Sequence, residues 1–523
     1  MPMTRRELLE RCAALGVTMF ALPTLGCKPD DDLPADGFPA YTWDGPLGPA
    51  TTFQHGVASG DPLADAVLLW TRVSPGAGTS AAEVEVFLEV SRAPDFAERV
   101  AVGTFTTSAE ADWTLTVDQI DLDPATTYYY RFSALGRTSP IGRTRTLTSG
   151  ALDRARFAVC SCSNFAAGYF YAYRHMANRP DLDFFIHLGD YIYEHASAGN
   201  GFSYGVFREL QPPNEVLTLD DYRARYAWYR TDPDLQELHR QHPMLHCWDD
   251  HEFADNPRVG GSENHTEGDE GAWSDRVAAA LRAYHEWIPS RLDGDRIYRE
   301  AALGDLARLV FTDRQRRFLW PEPDDGERYL GAAQTSWLAD RVASVTEPWL
   351  ILCTGTSFTA RRLPGSPGLA FDGEPWDDTS RREVLDMVAG AGVENLLVLV
   401  GDIHKSQALD VADDVDAYDP TTGAGSEGVE FACGSITSPG LAMSTEGVPY
   451  FHWSDNRVRS YLLVDLTRDR VQGEFWGFED ARKTDEALPD EALLKAFTCA
   501  AGSHHLVETT TPTAARDAAA PAP

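Results

Sequence analysis

Basic residues are scarce in this chain. Its 523 residues carry 45 Lys and Arg against 80 Asp and Glu, a formal net charge of -35. A surface of that sign repels phosphate backbones and anionic lipid, which excludes nucleic acid and the bare membrane surface as general partners. It repels any anionic small molecule too, so a site for one must supply its own positive field, and bound cations are the direct means. Long apolar runs are also missing. Beyond the first thirty residues nothing approaches the ~20 apolar residues of a membrane-spanning helix. Cysteine is sparse, and six of the eight (Cys160, Cys162, Cys247, Cys353, Cys433 and Cys499) are scattered too widely for a disulfide framework. No glycine-rich phosphate cradle, no nucleophile elbow and no internal repeat is present.

The beginning of the chain reads as an address. Arg5-Arg6 stands ahead of an apolar stretch from about Cys12 to Gly26, too short to span a bilayer and right for a signal. The pattern resembles a twin-arginine (Tat) signal, which predicts residues 1–27 as a signal peptide, the Tat export machinery as a partner, and an exported location, periplasmic or extracellular. Leu25-Gly26-Cys27 resembles the end of a lipoprotein cleavage site, with Thr24 where such sites usually carry Leu. Lipidation of Cys27 therefore stands open beside plain cleavage, and it is the one predicted route to the membrane.

Residues 28–48, with Asp30-Asp31-Asp32 and Pro34, read as a polar linker. Across 49–149 the pattern is short β-type runs between turns, among them Val84 to Val90 with clear alternation. Leu122-Asp123-Pro124 before Tyr128 matches the tyrosine corner of a fibronectin-type β-sandwich. After Gly150 short apolar runs such as Phe184–Leu188 and Leu396–Val400 alternate with helical stretches. That predicts strands buried on both faces in an α/β domain over 150–480. Residues 481–523, ending in Ala, Thr and Pro, read as a C-terminal helix and a disordered tail.

Four segments carry the chemistry. The run Phe157–Cys160 leads into Ser161-Cys162, and Phe184–Leu188 into Gly189-Asp190-Tyr191-Ile192-Tyr193-Glu194. His246-Cys247-Trp248 leads into Asp249-Asp250-His251-Glu252 with Asp255-Asn256 behind, and Leu396–Val400 into Gly401-Asp402-Ile403-His404. Each set of donors falls just past the carboxyl end of a strand, where open α/β sheets build their sites. Asp190, Asp250, Asp402 and Asn256 offer oxygen to hard cations; His251 and His404 add imidazole; Cys162 and Tyr193 can add thiolate and phenolate. Two cations bridged by one carboxylate would clamp a phosphoryl oxygen and yield hydroxide near neutral pH. Plain readings stand beside these: Cys162 as a small core residue, Tyr193 as packing, Asp190 and Asp402 as turn formers, His251 as a structural histidine. His187, His246 and His285 read as packing residues, and Arg314 and Arg317 as surface ion pairs rather than phosphate contacts.

In order and spacing these segments resemble the PhoD-like alkaline phosphatases, a branch of the metallophosphoesterases. The likeness runs from His55-Gly56-Val57-Ala58-Ser59-Gly60-Asp61-Pro62 to about Phe475. It implies a layered α/β/β/α catalytic domain behind the sandwich and an enzyme hydrolysing phosphate mono- or diesters, small or polymeric. It also implies a mixed site of Fe3+ and Ca2+, with Zn or Mn as lesser alternatives. By position Cys162, Asp190, Tyr193 and Asp402 would hold the iron, with Asp190 bridging. Asp250, Asn256 and His404 match the calcium shell, and His251, with Asp250, the catalytic positions. Asp255 stands where the family has asparagine, and Thr312-Asp313-Arg314-Gln315 inverts its Asp-Thr-Arg-Gln. A cell-surface binding protein with a degenerate metal site is the rival reading.

Overall fold

The computed structural model describes residues 36–76, 82–197, 206–322, 328–359, 376–412, 414–440, 445–479, 481 and 488–523. The predicted signal peptide and part of the linker lie outside them. Two large sheets lie face to face. The ten-stranded sheet runs in the order 507–509, Ala492–Ala500, Arg470–Phe478, Arg459–Thr467, Arg154–Cys160, Phe184–Leu188, Met244–Cys247, Val57–Gly60, Val67–Arg72, Thr114–Gln119. The seven-stranded sheet runs Arg299–Leu303, Ala307–Phe311, Trp349–Thr354, Leu396–Val400, Ser426–Cys433, Ser406–Ala412, Phe451–Asp455.

The apolar runs are explained by what covers each face. Phe157, Val159, Phe184, Ile186 and Leu188 point between the sheets, where they meet Leu397, Leu399 and Phe431 of the other sheet. The alternate residues Ala158, Cys160 and Phe185 point outward to a layer formed by the helices Tyr171–Ala177, Leu219–Tyr229, Pro233–Gln241 and Trp273–Trp287. On the far side Leu396, Val398 and Val400 meet the helices Gly331–Ala343 and Asp378–Gly390. The result is the expected α/β/β/α layering, and period-2 alternation is invisible in these strands because both faces are buried.

The N-terminal region is a sandwich with one shared wall. Arg99–Ser108, Glu83–Ser91, Thr127–Ala134 and Arg137–Thr138, with Gly142–Arg145 pairing onto Thr127–Ala134, form a five-stranded sheet. Its Val84, Val86, Leu88 and Phe132 pack on Val67, Leu69 and Val117, which belong to the large sheet. The bridge is Gly60, paired in parallel with Met244. The tyrosine corner forms as read, with the Asp123 amide donating to the Tyr128 hydroxyl at 2.8 Å.

The expected helix and disordered tail over 481–523 are corrected. Ala492–Ala500 is a strand antiparallel to Arg470–Phe478, and residues 507–509 pair on its outer edge. Phe497 is buried between the sheets, which a composition-based reading of disorder could not register. Beyond it the chain is strapped to the body. The Thr513 amide donates to Glu474 Oε1 at 2.5 Å, and the Tyr129 hydroxyl to the Ala520 carbonyl at 2.6 Å.

Candidate metal centre

The strands ending at Cys160, Leu188 and Cys247 are parallel neighbours, so their carboxyl ends open onto one edge. The strand Leu396–Val400 brings the fourth segment to the same edge from the other sheet. Contact there is tight: a Cβ on Gly401 would lie 2.9 Å from the Leu188 carbonyl oxygen and 3.1 Å from that of Gly355. Glycine before Asp402 is therefore a condition for the two sheets meeting. Past these ends the backbone turns left-handed at non-glycine residues: Cys162 (φ 61), Asp190 (φ 55), Asp402 (φ 59) and His404 (φ 50) within four residues of the strand, and Asn256 (φ 46) further along its loop. Such conformations cost free energy and persist where surrounding structure fixes them. Here they turn five donor side chains off their elements.

Cys162, Asp190 and His404 converge, with one candidate ligand atom from each within 4.8 Å of the others. The Tyr193 hydroxyl lies among them, 3.0 Å from Asp190 Oδ2 and 3.1 Å from His404 Nε2, and accepts from Ser438 Oγ at 2.7 Å. His404 Nδ1 donates to the Pro439 carbonyl at 3.0 Å, which leaves Nε2 as the bare nitrogen facing the cluster. Burial depresses the His404 pKa to about 3, so the imidazole is neutral and fit to ligate. Asp190, Asp250 and His251 form a second, overlapping group at the same spacing. Asp250 Oδ2 accepts the Asn256 amide at 2.7 Å, and the Asn256 side-chain nitrogen is committed to Asp255 at 3.1 Å. Asp402 Oδ2 accepts from Thr356 Oγ1 at 2.9 Å.

The electrostatics are those of a negative cluster held out of water. Burial, then neighbouring carboxylates, pushes Asp190 and Asp249 well above the ordinary range; burial and Asp250 raise Asp402. Burial raises the Cys162 thiol, and the charge of Asp190 raises it further. For His251 burial opposes the charged form, yet Asp250, Glu194 and Asp190 together hold the imidazolium well above its usual range. Its Nδ1 donates to Glu194 Oε2 at 2.8 Å, and its ring lies 4.1 Å from that of Tyr193, centroid to centroid. Arg314 is buried, and the fields of Asp249, Asp402 and Asp250 help raise its pKa. It is no surface ion pair, which corrects that expectation.

Glu252, Gln315 and Asp313, to which the sequence assigned no role, shape the site. Glu252 is buried and accepts three amides, those of Asp190 (3.0 Å) and Asp249 (2.9 Å) on Oε2 and of Tyr191 (2.6 Å) on Oε1. It thereby ties two ligand loops together. Gln315 Nε2 donates to Asp249 Oδ1 at 2.7 Å. Asp313, at the inverted dipeptide, accepts the Trp248 indole at 2.7 Å and the Arg316 amide at 3.0 Å. His187 and His246 are packing residues: His187 Nε2 pairs with the Tyr173 hydroxyl at 3.0 Å, and His246 Nδ1 with that of Tyr284 at 2.5 Å. His285 meets the Gly294 carbonyl at 3.0 Å.

Two facing sheets with loops of carboxylate, imidazole, thiol and phenol donors at their shared carboxyl edge define a phosphoesterase of the layered α/β/β/α type. The sequence matches the PhoD-like phosphatase family over residues 157–475, and the PhoD-like phosphatase, N-terminal domain over 46–148. The chain belongs to the PhoD-like phosphatase family and is a phosphoric ester hydrolase. It is 33% identical over 419 residues to alkaline phosphatase D of Bacillus subtilis (strain 168), covering 74% of this chain and 70% of that one. A solved structure described as that of PhoD superposes with a TM-score of 0.80 at 29% identity, over 90% of this chain and 94% of that chain.

Proposed function

We propose that this protein is an exported phosphatase and phosphodiesterase whose reaction depends on a mixed iron–calcium centre. The observation that carries the reading is Asp190. Its Oδ2 accepts from the Tyr193 hydroxyl, while its buried Oδ1 has no hydrogen-bond partner among the described residues. An unpartnered buried carboxylate oxygen is costly unless a cation meets it. The donor set fits that cation. Cys162, Asp190, Tyr193 and Asp402 offer the thiolate, phenolate and carboxylates suited to ferric iron; His404, matched by position to the calcium shell, has a donor atom within 4.8 Å of those of Cys162 and Asp190 and would serve the iron instead. Asp250 and the carbonyl oxygen of Asn256 are hard donors that would suit calcium, and Asp190, common to both donor groups, would serve the two cations. Cations held there would neutralise the cluster, draw the protons from Cys162 and Tyr193, and supply Lewis-acid charge to phosphoryl oxygens and the attacking water.

The chain's own residues do the rest. Glu194 fixes the His251 ring and keeps its Nδ1 as a donor, so Nε2 is the atom left to protonate a departing alkoxide or to bind a phosphoryl oxygen. The buried Arg314 places a permanent positive charge beside Asp249 and Asp402, countering the acidic surface where an anionic ester must arrive. Export in folded form, suggested by the twin arginines, would let a thiolate-ligated iron be loaded before it meets an oxidising compartment.

The test is elemental analysis of the purified protein, paired with hydrolysis of p-nitrophenyl and bis-p-nitrophenyl phosphate with and without chelator. Iron near one per chain, calcium beside it, a visible phenolate-to-iron band and chelator-sensitive turnover are expected. Full activity in a colourless, iron-free preparation would overturn the iron assignment while keeping the phosphoesterase.

A further inference from the structure

Away from the catalytic edge, three segments distant in sequence bring their polar side chains to one point. Asp410 lies in the strand Ser406–Ala412, which leads away from the His404 turn, and four strand residues at ~3.3 Å each set it roughly 13 Å along from Ser406. Its carboxylate is fully buried. His505, from the loop after the strand Ala492–Ala500, hydrogen-bonds Asp410 Oδ2 through Nδ1 at 2.6 Å; His452 sets Nε2 3.1 Å from Asp410 Oδ1. One candidate ligand atom from each residue lies within 4.8 Å of the others.

We propose that Asp410, His452 and His505 form a second metal site, for a borderline divalent cation of the zinc class, which clamps the C-terminal segment onto the seven-stranded sheet. Four observations carry this. The first is donor chemistry: two imidazoles and one carboxylate, the three protein ligands that a water commonly completes, are a set that suits Zn2+. The second is that His452 Nε2 is buried and makes no hydrogen bond among the described residues despite facing the carboxylate. A hydrogen-bonded clamp would use that nitrogen; a metal ligand leaves it as a bare lone pair.

The third is orientation of the carboxylate from outside the trio. The Tyr418 hydroxyl donates to Asp410 Oδ2 at 2.8 Å, and the Leu506 amide to Oδ1 at 3.0 Å, the kind of outer support that fixes a ligating group. The fourth is backbone geometry. Pairing between Ser406–Ala412 and Phe451–Asp455 is irregular between Ala408 and Leu409, whose partners Trp453 and Phe451 leave His452 as the extra residue. Bulges of this kind re-aim a side chain. Pairing with the other neighbour, Ser426–Cys433, is irregular again between Asp410 and Ala412. The chain also approaches closely at His505, where a Cβ on Gly423 would lie 2.5 Å from the His505 Cβ. A cation there would join residue 505 to residue 410 and stabilise the fold by mass action.

The experiment titrates Co2+, as a spectroscopic stand-in for Zn2+, into full-length holoenzyme whose catalytic metals are in place. The wild type should bind one equivalent per chain with a visible d–d absorption, and its Tm should rise. The H452A variant removes a side chain that makes no hydrogen bond to Asp410, so it should fold, keep p-nitrophenyl phosphate turnover within about twofold, and lose both the absorption and the Tm rise. H505Q, which retains a polar side chain at the loop, should lose them too and serves if H452A does not fold. No added equivalent in the wild type, or the same binding in the folded variants, overturns the site in favour of a His–Asp hydrogen-bond clamp. Turnover read in the same samples keeps this result separate from that at the catalytic edge.

Discussion

Glu194 accepts the Nδ1 proton of His251 at 2.8 Å, and its other oxygen accepts the Asp255 amide at 2.8 Å and the Asn264 side-chain amide at 2.5 Å. A carboxylate so fully engaged holds the imidazole rigidly. If His251 protonates the leaving oxygen, H251A should slow esters of alkyl alcohols by about 100-fold or more and p-nitrophenyl phosphate far less, because a good leaving group needs no acid. E194Q should show the same selectivity at reduced size. Equal losses for both kinds of ester would restrict His251 to binding the phosphoryl group.

Glu252 serves as the brace between ligand loops, so its replacement tests geometry rather than chemistry. Glutamine keeps one acceptor oxygen and turns an NH2 toward backbone donors, leaving at least one of the amides of Asp190, Tyr191 and Asp249 unpaired. Each orphaned buried amide costs about 1–3 kcal/mol. E252Q should lower Tm, lower metal retention and reduce kcat roughly 10- to 100-fold with a smaller change in KM. An unaltered kcat would show that the loops hold their shape without it.

Much of the fold and the donor inventory was legible in the sequence, for a reason that has limits. Cys162, Asp190, Asp250 and Asp402 follow short apolar runs, and a strand buried on both faces announces both itself and the loop it feeds. Glu252 was not legible as a brace, because a glutamate after Asp-Asp-His carries no mark that three amides point at it. Nor was the burial of Arg314, which depends on the Thr312–Gln315 segment of the seven-stranded sheet meeting the Asp249 loop of the other sheet. The C-terminal strand and strap were misread because small and polar residues were judged by composition, whereas Phe497 and the alternation around it place the strand. The partition of the N-terminal strands between two sheets was hidden as well, since the pairing of Gly60 with Met244 joins residues far apart in the chain.

Gly355 faces Asp249 from the second sheet. A Cβ there would lie 2.8 Å from the Asp249 carboxyl carbon and 2.9–3.0 Å from its oxygens, which Gln315 fixes in place. Overpacking of this kind costs typically 1–3 kcal/mol, and here the atoms that must yield belong to the acidic cluster. G355A should fold, with a Tm a few degrees lower, and lose roughly 10-fold or more in kcat. Retained turnover would show that Asp249 can move without disturbing Asp250 or Asp190.

Asp313 is buried, its Oδ2 has no hydrogen-bond partner among the described residues, and burial pushes its carboxyl up to about 7 from an unfolded value of 3.8. Between those values the folded protein holds a proton that the unfolded chain has released. The contribution to stability is therefore full below about pH 4 and is lost as pH rises through 7, at up to roughly 1.4 kcal/mol per pH unit. Asparagine keeps an acceptor for the Trp248 indole and the Arg316 amide but carries no charge. The Tm difference, D313N minus wild type, should accordingly grow from pH 4 to pH 7 and level off above. A difference independent of pH would mean that Asp313 ionises at an ordinary carboxylate pKa, and that its oxygens meet more positive charge than the Arg316 side of its pocket provides.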